Sequence, residues 1–249
     1  ILSHSKSPKE ASKKLRILDE AIVESNKIIG KKKKGMSIWD FDDTLAKTKS
    51  KIIVISPEGK KTYMNAADWA KKAETLLNEG NKFDFSEFNK VIGGKPGPFL
   101  HKLVKRIKKF GTEDQFILTA RPAESAVAIR EFLKGVGINI PLKNIKGLGD
   151  STAEAKALWV AEKIAEGYND IYFADDAIMN VKAVENMMKQ FDVKSKVQQA
   201  KLERHGKYLI DTSTKEGQKL INQIKNIPTV SSSEFKKVGR WNINTKTKE

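Results

Sequence analysis

The chain contains no cysteine and no long apolar run. Without cysteine it cannot form disulfides, thiolate zinc sites or a cysteine nucleophile, and the composition fits a reducing compartment. Apolar runs such as Ile52–Ile55 are far shorter than the roughly 20 residues that a membrane helix needs. No signal-peptide pattern opens the chain. We therefore expect a cytoplasmic protein that is neither exported by a signal peptide nor inserted in a membrane.

Positive charge is abundant but unevenly distributed. The 249 residues include 47 Lys and Arg against 31 Asp and Glu, which gives a net charge of +16. Residues 1–35 have a net charge of +6, residues 36–192 of +2, and residues 193–249 of +8. We expect a nearly neutral central domain, 36–192, between two basic flanks. Lysine-rich flanks bind polyanions by counterion release, so nucleic acid is one candidate partner, and a solvated surface is the alternative.

The two flanks differ in their patterns. In the first, Ser7 and Glu10 form a capping box before a helical pattern that ends near Gly30. This helix either docks on its own domain or binds a partner. In the second, Leu209–Ile210 predicts a strand and Glu216–Ile227 a helix. The polar residues that follow predict partial disorder.

The central domain alternates strand and helix signals. Three short apolar runs each lead towards polar residues: Met36–Trp39, Phe116–Leu118 and Ile171–Phe173. Helical patterns lie between the later two, one from Pro122 to Gly135 and one that a Ser151/Glu154 capping box opens. Strands that alternate with helices form a parallel sheet covered on both faces. We predict the α/β class, with a Rossmann-like, doubly wound parallel sheet.

Residues 49–98 interrupt this alternation after the first strand. Lys51–Ile55 and Lys60–Met64 read as a hairpin, and a helix around Ala66–Leu77 follows. A glycine- and proline-rich loop then leads back to the core. We expect this insertion to form a small cap beside the end of the first strand.

Three carboxylates follow the first strand within four positions. Asp40, Asp42 and Asp43 stand where ligands bind in open α/β sheets, at the carboxyl end of a strand. Carboxylates crowded at such a place are costly unless a cation neutralises them. A hard cation with oxygen ligands answers this need, and Mg²⁺ is the preferred one.

Further polar residues lie at the ends of the later strands or at the start of a later helix. Thr119 follows the second apolar run, Lys156 lies just inside the capped helix, and Asp175 and Asp176 follow the third run. Lys163 and Lys182 compete with Lys156, but Lys156 is favoured by its place at the start of a helix. With the Asp-x-Asp-x-Thr motif at 40–44, this order resembles the haloacid dehalogenase-like (HAD) hydrolase superfamily over residues 36–192.

The resemblance implies a role for each matching residue. Asp40 would be the nucleophile that forms an aspartyl-phosphate, and Asp42 the general acid and then the general base. Thr119 and Lys156 would bind the phosphoryl group. The implied Mg²⁺ ligands are Asp40, the backbone carbonyl of Asp42, Asp175 and Asp176.

The carboxylate at position 42 narrows the implied chemistry. Members of the superfamily that act on carbon–halogen or phosphonate bonds lack an acid there, whereas phosphatases and phosphomutases have one, so Asp42 points to phosphoester chemistry. The activity that we expect is that of a phosphomonoesterase. Its substrate is expected to be a phosphorylated small molecule or a nucleotide or polynucleotide phosphate. A receiver domain is disfavoured because its acceptor aspartate lies on a later strand. Arg121 either pairs with an acidic neighbour or touches substrate.

Several segments are also similar to HAD-like domains of large tailed bacteriophages: Trp39–Thr44, Phe83–Asn89, Lys95–Pro98 and Leu118–Pro122. Such domains sometimes belong to virion proteins, whose precursors are often trimmed after glutamate. The first residue, Ile1, and the last, Glu249, agree with such processing. This resemblance implies a location within a virion, with virion proteins or nucleic acid as partners of the basic flanks. The alternative function is therefore a virion structural or nucleic-acid-associated protein that keeps a HAD fold.

Overall fold

The computed structural model describes residues 5, 7–30, 32–65, 68, 72, 75–205, 208–211, 215, 218–219, 235–238 and 241–244. By its internal contacts the chain divides into two compact units, Ile1–Gln199 and Ala200–Glu249. Among the described residues, no helix is both long enough and apolar enough to cross a membrane.

A five-stranded parallel sheet forms the centre of the first unit. Its strands are β1 (Gly35–Trp39), β7 (Gln115–Thr119), β8 (Ile145–Gly147), β9 (Asp170–Asp175) and β10 (Lys194–Gln199), arranged in the order β10-β9-β1-β7-β8. Every neighbouring pair is parallel. Numbered along the chain, the strand order is 3-2-1-4-5, which is that of a Rossmann-like sheet. The predicted α/β class and parallel sheet are confirmed.

The strand order places a switch point beside β1. After β1, the chain builds β7 and β8 on one side and then crosses back to build β9 and β10 on the other. The connections on the two sides of β1 therefore diverge and leave a crevice at the carboxyl ends of the strands. In open α/β sheets this crevice is where ligands bind.

Within the part of the chain that the structure describes, five helices cover both faces of the sheet: α1 (Pro8–Lys27), α2 (Leu100–Phe110), α3 (Ser125–Gly135), α4 (Ala153–Ala165) and α5 (Ile178–Met188). The helices α1, α4 and α5 share one apolar cluster with the sheet residues Ile38 and Phe173. On the opposite face, Arg106 of α2 donates to the Ser37 hydroxyl at 2.7 Å and lies over the Tyr172 ring. Ser37 and Tyr172 face α2, and their neighbours Ile38 and Phe173 face the apolar cluster, because successive residues of a strand point to opposite faces of the sheet.

The N-terminal helix docks on its own unit. The Ser7 hydroxyl accepts a hydrogen bond from the backbone N–H of Glu10, as the capping box predicts. Ile17 and Ala21 are buried in the same apolar cluster as Ile164 of α4. Helix α1 is thus held by burial of its apolar stripe rather than by its helix propensity alone.

Two helices start later than the sequence predicts. The cap of α4 is Thr152, whose hydroxyl accepts from the backbone N–H of Ala155 at 3.3 Å, so Ser151 is not the cap. Helix α3 begins at Ser125 rather than at Pro122. Adjacent cap-forming residues such as Ser151 and Thr152 have similar intrinsic preferences, so the loop geometry decides between them.

Within the described residues, the insertion contributes strands to two small antiparallel sheets. One pairs β2 (Ala46–Lys47) with β6 (Lys95–Pro96), and the other has the order β4-β3-β5, from β4 (Lys61–Met64), β3 (Ile52–Ile55) and β5 (Lys82–Asp84). The predicted hairpin is therefore present. A single 3₁₀ turn, Ser86–Asn89, follows β5. Most of the predicted helix at 66–77 lies outside the described residues.

The second unit contains two hairpins within the described residues. Strand β11 (Leu202–His205) pairs with β12 (Tyr208–Asp211), and β13 (Phe235–Val238) pairs with β14 (Trp241–Asn244). The strand predicted at Leu209–Ile210 is part of β12. Most of the helix predicted at Glu216–Ile227, and most of the polar tail, lie outside the described residues.

Candidate active site

The strands β1 and β9 bring three predicted metal ligands together. Asp40 directly follows β1, while Asp175 ends β9 and Asp176 comes next. The two strands are in register, and the backbone N–H of Asp40 donates to the carbonyl of Ala174 at 2.8 Å. One carboxylate oxygen from each of Asp40, Asp175 and Asp176 lies within 4.8 Å of the others. The sheet register therefore builds the acidic cluster.

Lys156 lies at the centre of this cluster. Its ammonium donates to Oδ1 of Asp40 and to Oδ2 of Asp175, both at 2.6 Å, and its side chain is only 3% exposed. The first turn of α4 places the residue there. Lys163 instead pairs with Glu166 near the other end of that helix, so Lys156 is the lysine that reaches the carboxylates.

Asp175 has additional hydrogen bonds that fix its orientation. Its Oδ1 accepts from the backbone N–H of Ala177 at 2.9 Å, and the Asn180 amide donates to both of its oxygens at 3.0 Å. Asn180 is not among the residues predicted from the sequence. The available signal was an amide in the first turn of the helix that directly follows the acidic pair.

Burial and like charge both act on the acidic cluster. Burial raises the pKa of Asp40 well above its usual value, Lys156 opposes this, and the charges of Asp175 and Asp176 add to the increase. Burial, followed by the charge of Asp175, raises the pKa of Asp176 to about 7. Burial alone would lower the pKa of Lys156, but Asp40 and Asp175 raise it. Asp40 and Asp176 thus resist ionisation, while the Lys156 ammonium stays charged.

The cluster fits a divalent cation of the hard, oxygen-binding type. Three carboxylates and one ammonium carry a formal charge of −2 when all are ionised. The Oδ2 atom of Asp40 is buried and has no hydrogen-bond partner among the described residues. A buried carboxylate oxygen without a partner is costly, and a cation is the partner that these neighbours favour.

The carboxylate of Asp42 faces a different group. Both of its oxygens accept from the Arg121 guanidinium, at 2.7 and 2.8 Å, and Oδ1 also accepts from the Thr48 hydroxyl at 3.0 Å. Arg121 therefore pairs with an acidic neighbour, which was one of its two predicted roles. Thr48 was not identified from the sequence because its hydroxyl reaches Asp42 only through the turn that follows β1.

That turn is tight. The backbone N–H groups of Leu45 and Ala46 both donate to the carbonyl of Phe41 at 2.9 Å. Asp43 has a φ of 55°, in the left-handed region, which Asp and Asn tolerate better than most residues. Within the turn, the Thr44 hydroxyl lies 3.4 Å from Oδ1 of Asp176. The motif residues thus order the loop as well as supplying carboxylates.

Thr119 ends β7, the neighbour of β1 on the other side. It is buried, and its hydroxyl accepts from the backbone N–H of Arg121 at 3.2 Å. The strand pairing Trp39↔Ile117 puts Thr119 level with the loop that carries Asp40 and Asp42. All six predicted site residues therefore lie at the carboxyl ends of the parallel strands.

Comparison of the chain with family models, with curated proteins and with solved structures gives no match.

Proposed function

We propose that the protein is a Mg²⁺-dependent phosphomonoesterase of the HAD-like superfamily that forms an aspartyl-phosphate on Asp40. The observation that carries the proposal is the environment of Asp40. One of its oxygens is bound by Lys156, and the other is buried without a hydrogen-bond partner beside Asp175 and Asp176. A carboxylate held this way would give its unpartnered oxygen to the cation and attack phosphorus with the other oxygen, beside the Lys156 ammonium.

The cation would be held by Asp40, Asp175, Asp176 and the backbone carbonyl of Asp42. When bound, it would supply positive charge that reduces the repulsion between the carboxylates and a phosphate. Its identification as Mg²⁺ rests on the all-oxygen donor set. Asn180 supports this arrangement because its amide holds both oxygens of Asp175.

Lys156 and Thr119 would receive the phosphoryl group. The Lys156 ammonium already lies 2.6 Å from the attacking carboxylate, so it would neutralise charge on the phosphoryl oxygens as the new bond forms. The Thr119 hydroxyl would donate a hydrogen bond to the same group. Both side chains are buried, so little solvent competes with these contacts.

Asp42 would transfer the proton in both halves of the reaction. In the first half its carboxyl gives a proton to the leaving oxygen while the Asp40 oxygen bonds to phosphorus. In the second half its carboxylate takes a proton from the water that attacks the aspartyl-phosphate. Asp42 is two residues from Asp40 on the same turn and partly exposed, which suits a group that must exchange a proton with solvent.

The proposed substrates are phosphomonoesters, with nucleotide or polynucleotide phosphates favoured by the basic flanks. The test is Mg²⁺-dependent phosphate release by the full chain from an aryl phosphate, mononucleotides, phosphorylated oligonucleotides and sugar phosphates. Asp40→Asn is expected to abolish release and the formation of a hydroxylamine-sensitive phosphoryl adduct. The control Asp192→Asn changes an exposed carboxylate and should retain activity. Release that survives Asp40→Asn contradicts the mechanism.

A further inference from the structure

Arg121 joins the insertion to the carboxylate of Asp42. Its Nε and Nη2 donate to the two Asp42 oxygens, and its Nη1 donates to the backbone carbonyls of Phe88 and Lys90 at 2.8 and 2.6 Å. Nη2 also lies 3.1 Å from the Thr48 hydroxyl. All three guanidinium nitrogens are therefore engaged, and one orientation of the side chain satisfies them together.

This orientation is reinforced by burial. The Arg121 side chain is 1% exposed, and its guanidinium lies 5.0 Å from the centre of the Phe88 ring and 5.4 Å from that of Phe41. A buried guanidinium is stable only when its donors are paired. Arg121 comes from the loop after β7, whereas Phe88 and Lys90 belong to the insertion. The same side chain thus fixes the insertion against the loop and holds Asp42.

Asp42 needs such a partner because the sheet does not fix its side chain. It lies on the turn after β1, and its side chain is 26% exposed. A general acid has to lie within hydrogen-bond reach of the atom that receives its proton. A bidentate arginine contact fixes the plane as well as the position of a carboxylate, which a lysine contact does not.

We propose that Arg121 is a positioning residue for proton transfer at Asp42, and that the insertion segment Ser86–Lys90 sets the position of Arg121. The inference rests on the proposed function. In the step concerned, Asp42 carries its proton on Oδ2, which within the described residues accepts from Arg121 alone, whereas Oδ1 accepts from both Arg121 and Thr48. The Asp40 oxygen bonds to phosphorus, the bond from phosphorus to the leaving oxygen breaks, and the Asp42 proton passes to that oxygen. The insertion then contributes to the chemistry through Arg121.

The leaving group distinguishes this role from a structural one. An alkyl phosphate such as glycerol phosphate needs a proton on its leaving oxygen, whereas a dinitrophenyl phosphate departs without one. For Arg121→Gln we expect kcat/KM to fall roughly 100-fold on the alkyl phosphate, within the range of general acid catalysis, and less than about fivefold on the aryl phosphate. Arg121→Lys should show a smaller difference of the same sign. Equal losses on the two substrates would overturn the proposal.

Two control pairs complete the experiment. Arg106→Gln removes another arginine that bonds to a buried serine but lies on the sheet face, so it should leave the ratio of the two kcat/KM values unchanged. Phe88→Ala removes the ring beside the guanidinium and should shift the ratio about threefold or more in the direction of Arg121→Gln. Phe85→Ala, which changes the phenylalanine just before this segment, should not shift the ratio. An unchanged ratio in Phe88→Ala overturns the role of the insertion.

The outcomes separate the two proposals. If wild type releases no Asp40-dependent phosphate from either substrate, the proposed function fails and the inference fails with it. If wild type is active and the ratio does not respond to Arg121 and Phe88, only the inference fails. Should Arg121→Gln not fold, as judged by circular dichroism, Arg121→Lys and Phe88→Ala decide the result.

Discussion

Asp40 and Asp175 share one ammonium, that of Lys156, which lies 2.6 Å from an oxygen of each. The two aspartates come from different strands, and the lysine comes from a helix between them in the chain. A single charge therefore compensates two buried carboxylates. The free energy of the folded state depends on this arrangement because both aspartates are buried.

Replacing Lys156 should destabilise the metal-free protein strongly. Lys156→Met leaves buried carboxylates without their ammonium, and breaking a buried ion pair typically costs about 3–5 kcal/mol. Urea unfolding in a chelator measures the change. The control Lys194→Met breaks an exposed pair with Asp170 and should cost less than about 1 kcal/mol. Similar losses of unfolding free energy in the two variants would show that the buried pairs of Lys156 stabilise the fold no more than an exposed pair does.

The metal-free protein should become less stable as pH rises from about 4 to about 7. An unfolded Asp titrates near 3.9, whereas folded Asp176 has a pKa of about 7 and that of Asp40 is also raised. In this window the folded state holds protons that the unfolded state has lost. The free energy of unfolding then falls by at most about 1.4 kcal/mol per pH unit for each group.

Thermal unfolding in a chelator across this pH range checks the sign. Asp176→Asn should make the dependence shallower, because it removes one of the groups whose pKa is raised. Asp192→Asn, which changes an exposed carboxylate, should leave the slope as it is in wild type. A free energy of unfolding that rises between pH 4 and pH 7 would show that Asp40 and Asp176 do not retain their protons in the folded state.

Adding Mg²⁺ should raise the unfolding temperature of wild type. A ligand that binds only the folded state stabilises it by about 2.7 kcal/mol at 100 times its Kd. Asp175→Asn should lose this response, because it removes one of the three clustered carboxylates. The amide oxygen can still accept from the backbone N–H of Ala177, so the variant should fold. A Mg²⁺ response that persists in this variant places the cation elsewhere.

The cap of α4 provides a test within two adjacent residues. Thr152→Ala removes the hydroxyl that accepts from Ala155 and should cost about 1 kcal/mol of unfolding free energy. Ser151→Ala should cost much less, because Thr152 and not Ser151 occupies the cap position. Denaturant unfolding of the two variants measures the difference. If Ser151→Ala costs more unfolding free energy than Thr152→Ala, Ser151 is the cap, as the sequence pattern predicts.

The strands that carry the site could be predicted from the sequence, whereas the edge strands could not. β1, β7 and β9 are buried, so their apolar runs are visible. The missed strand β10 reads Lys-Ser-Lys-Val-Gln-Gln and lies at an edge of the sheet, where lysines commonly discourage pairing with other chains. β8 has only three residues, too few for a pattern. Burial thus determines which strands leave a signal.

The same limit applies to the candidate site. Asp40, Asp175 and Asp176 were predicted to meet because the carboxyl ends of parallel strands share one edge. Thr48 and Asn180 were missed because their contacts depend on how a turn and a helix start direct individual side chains. Sequence spacing indicates which residues lie at the carboxyl ends of the strands, and the loop geometry determines which of them are in contact.

The central position of β1 has a consequence for the order of folding. β1 lies between β7 and β9, and both neighbours follow it at long distance in the chain. Contacts of high sequence separation form slowly, because a long loop must close before they form. During synthesis, β1 therefore has neither pairing partner until more than half of the first unit has been translated. The aspartates that repel one another meet only when β9 arrives, after the helix that supplies their lysine has already been made.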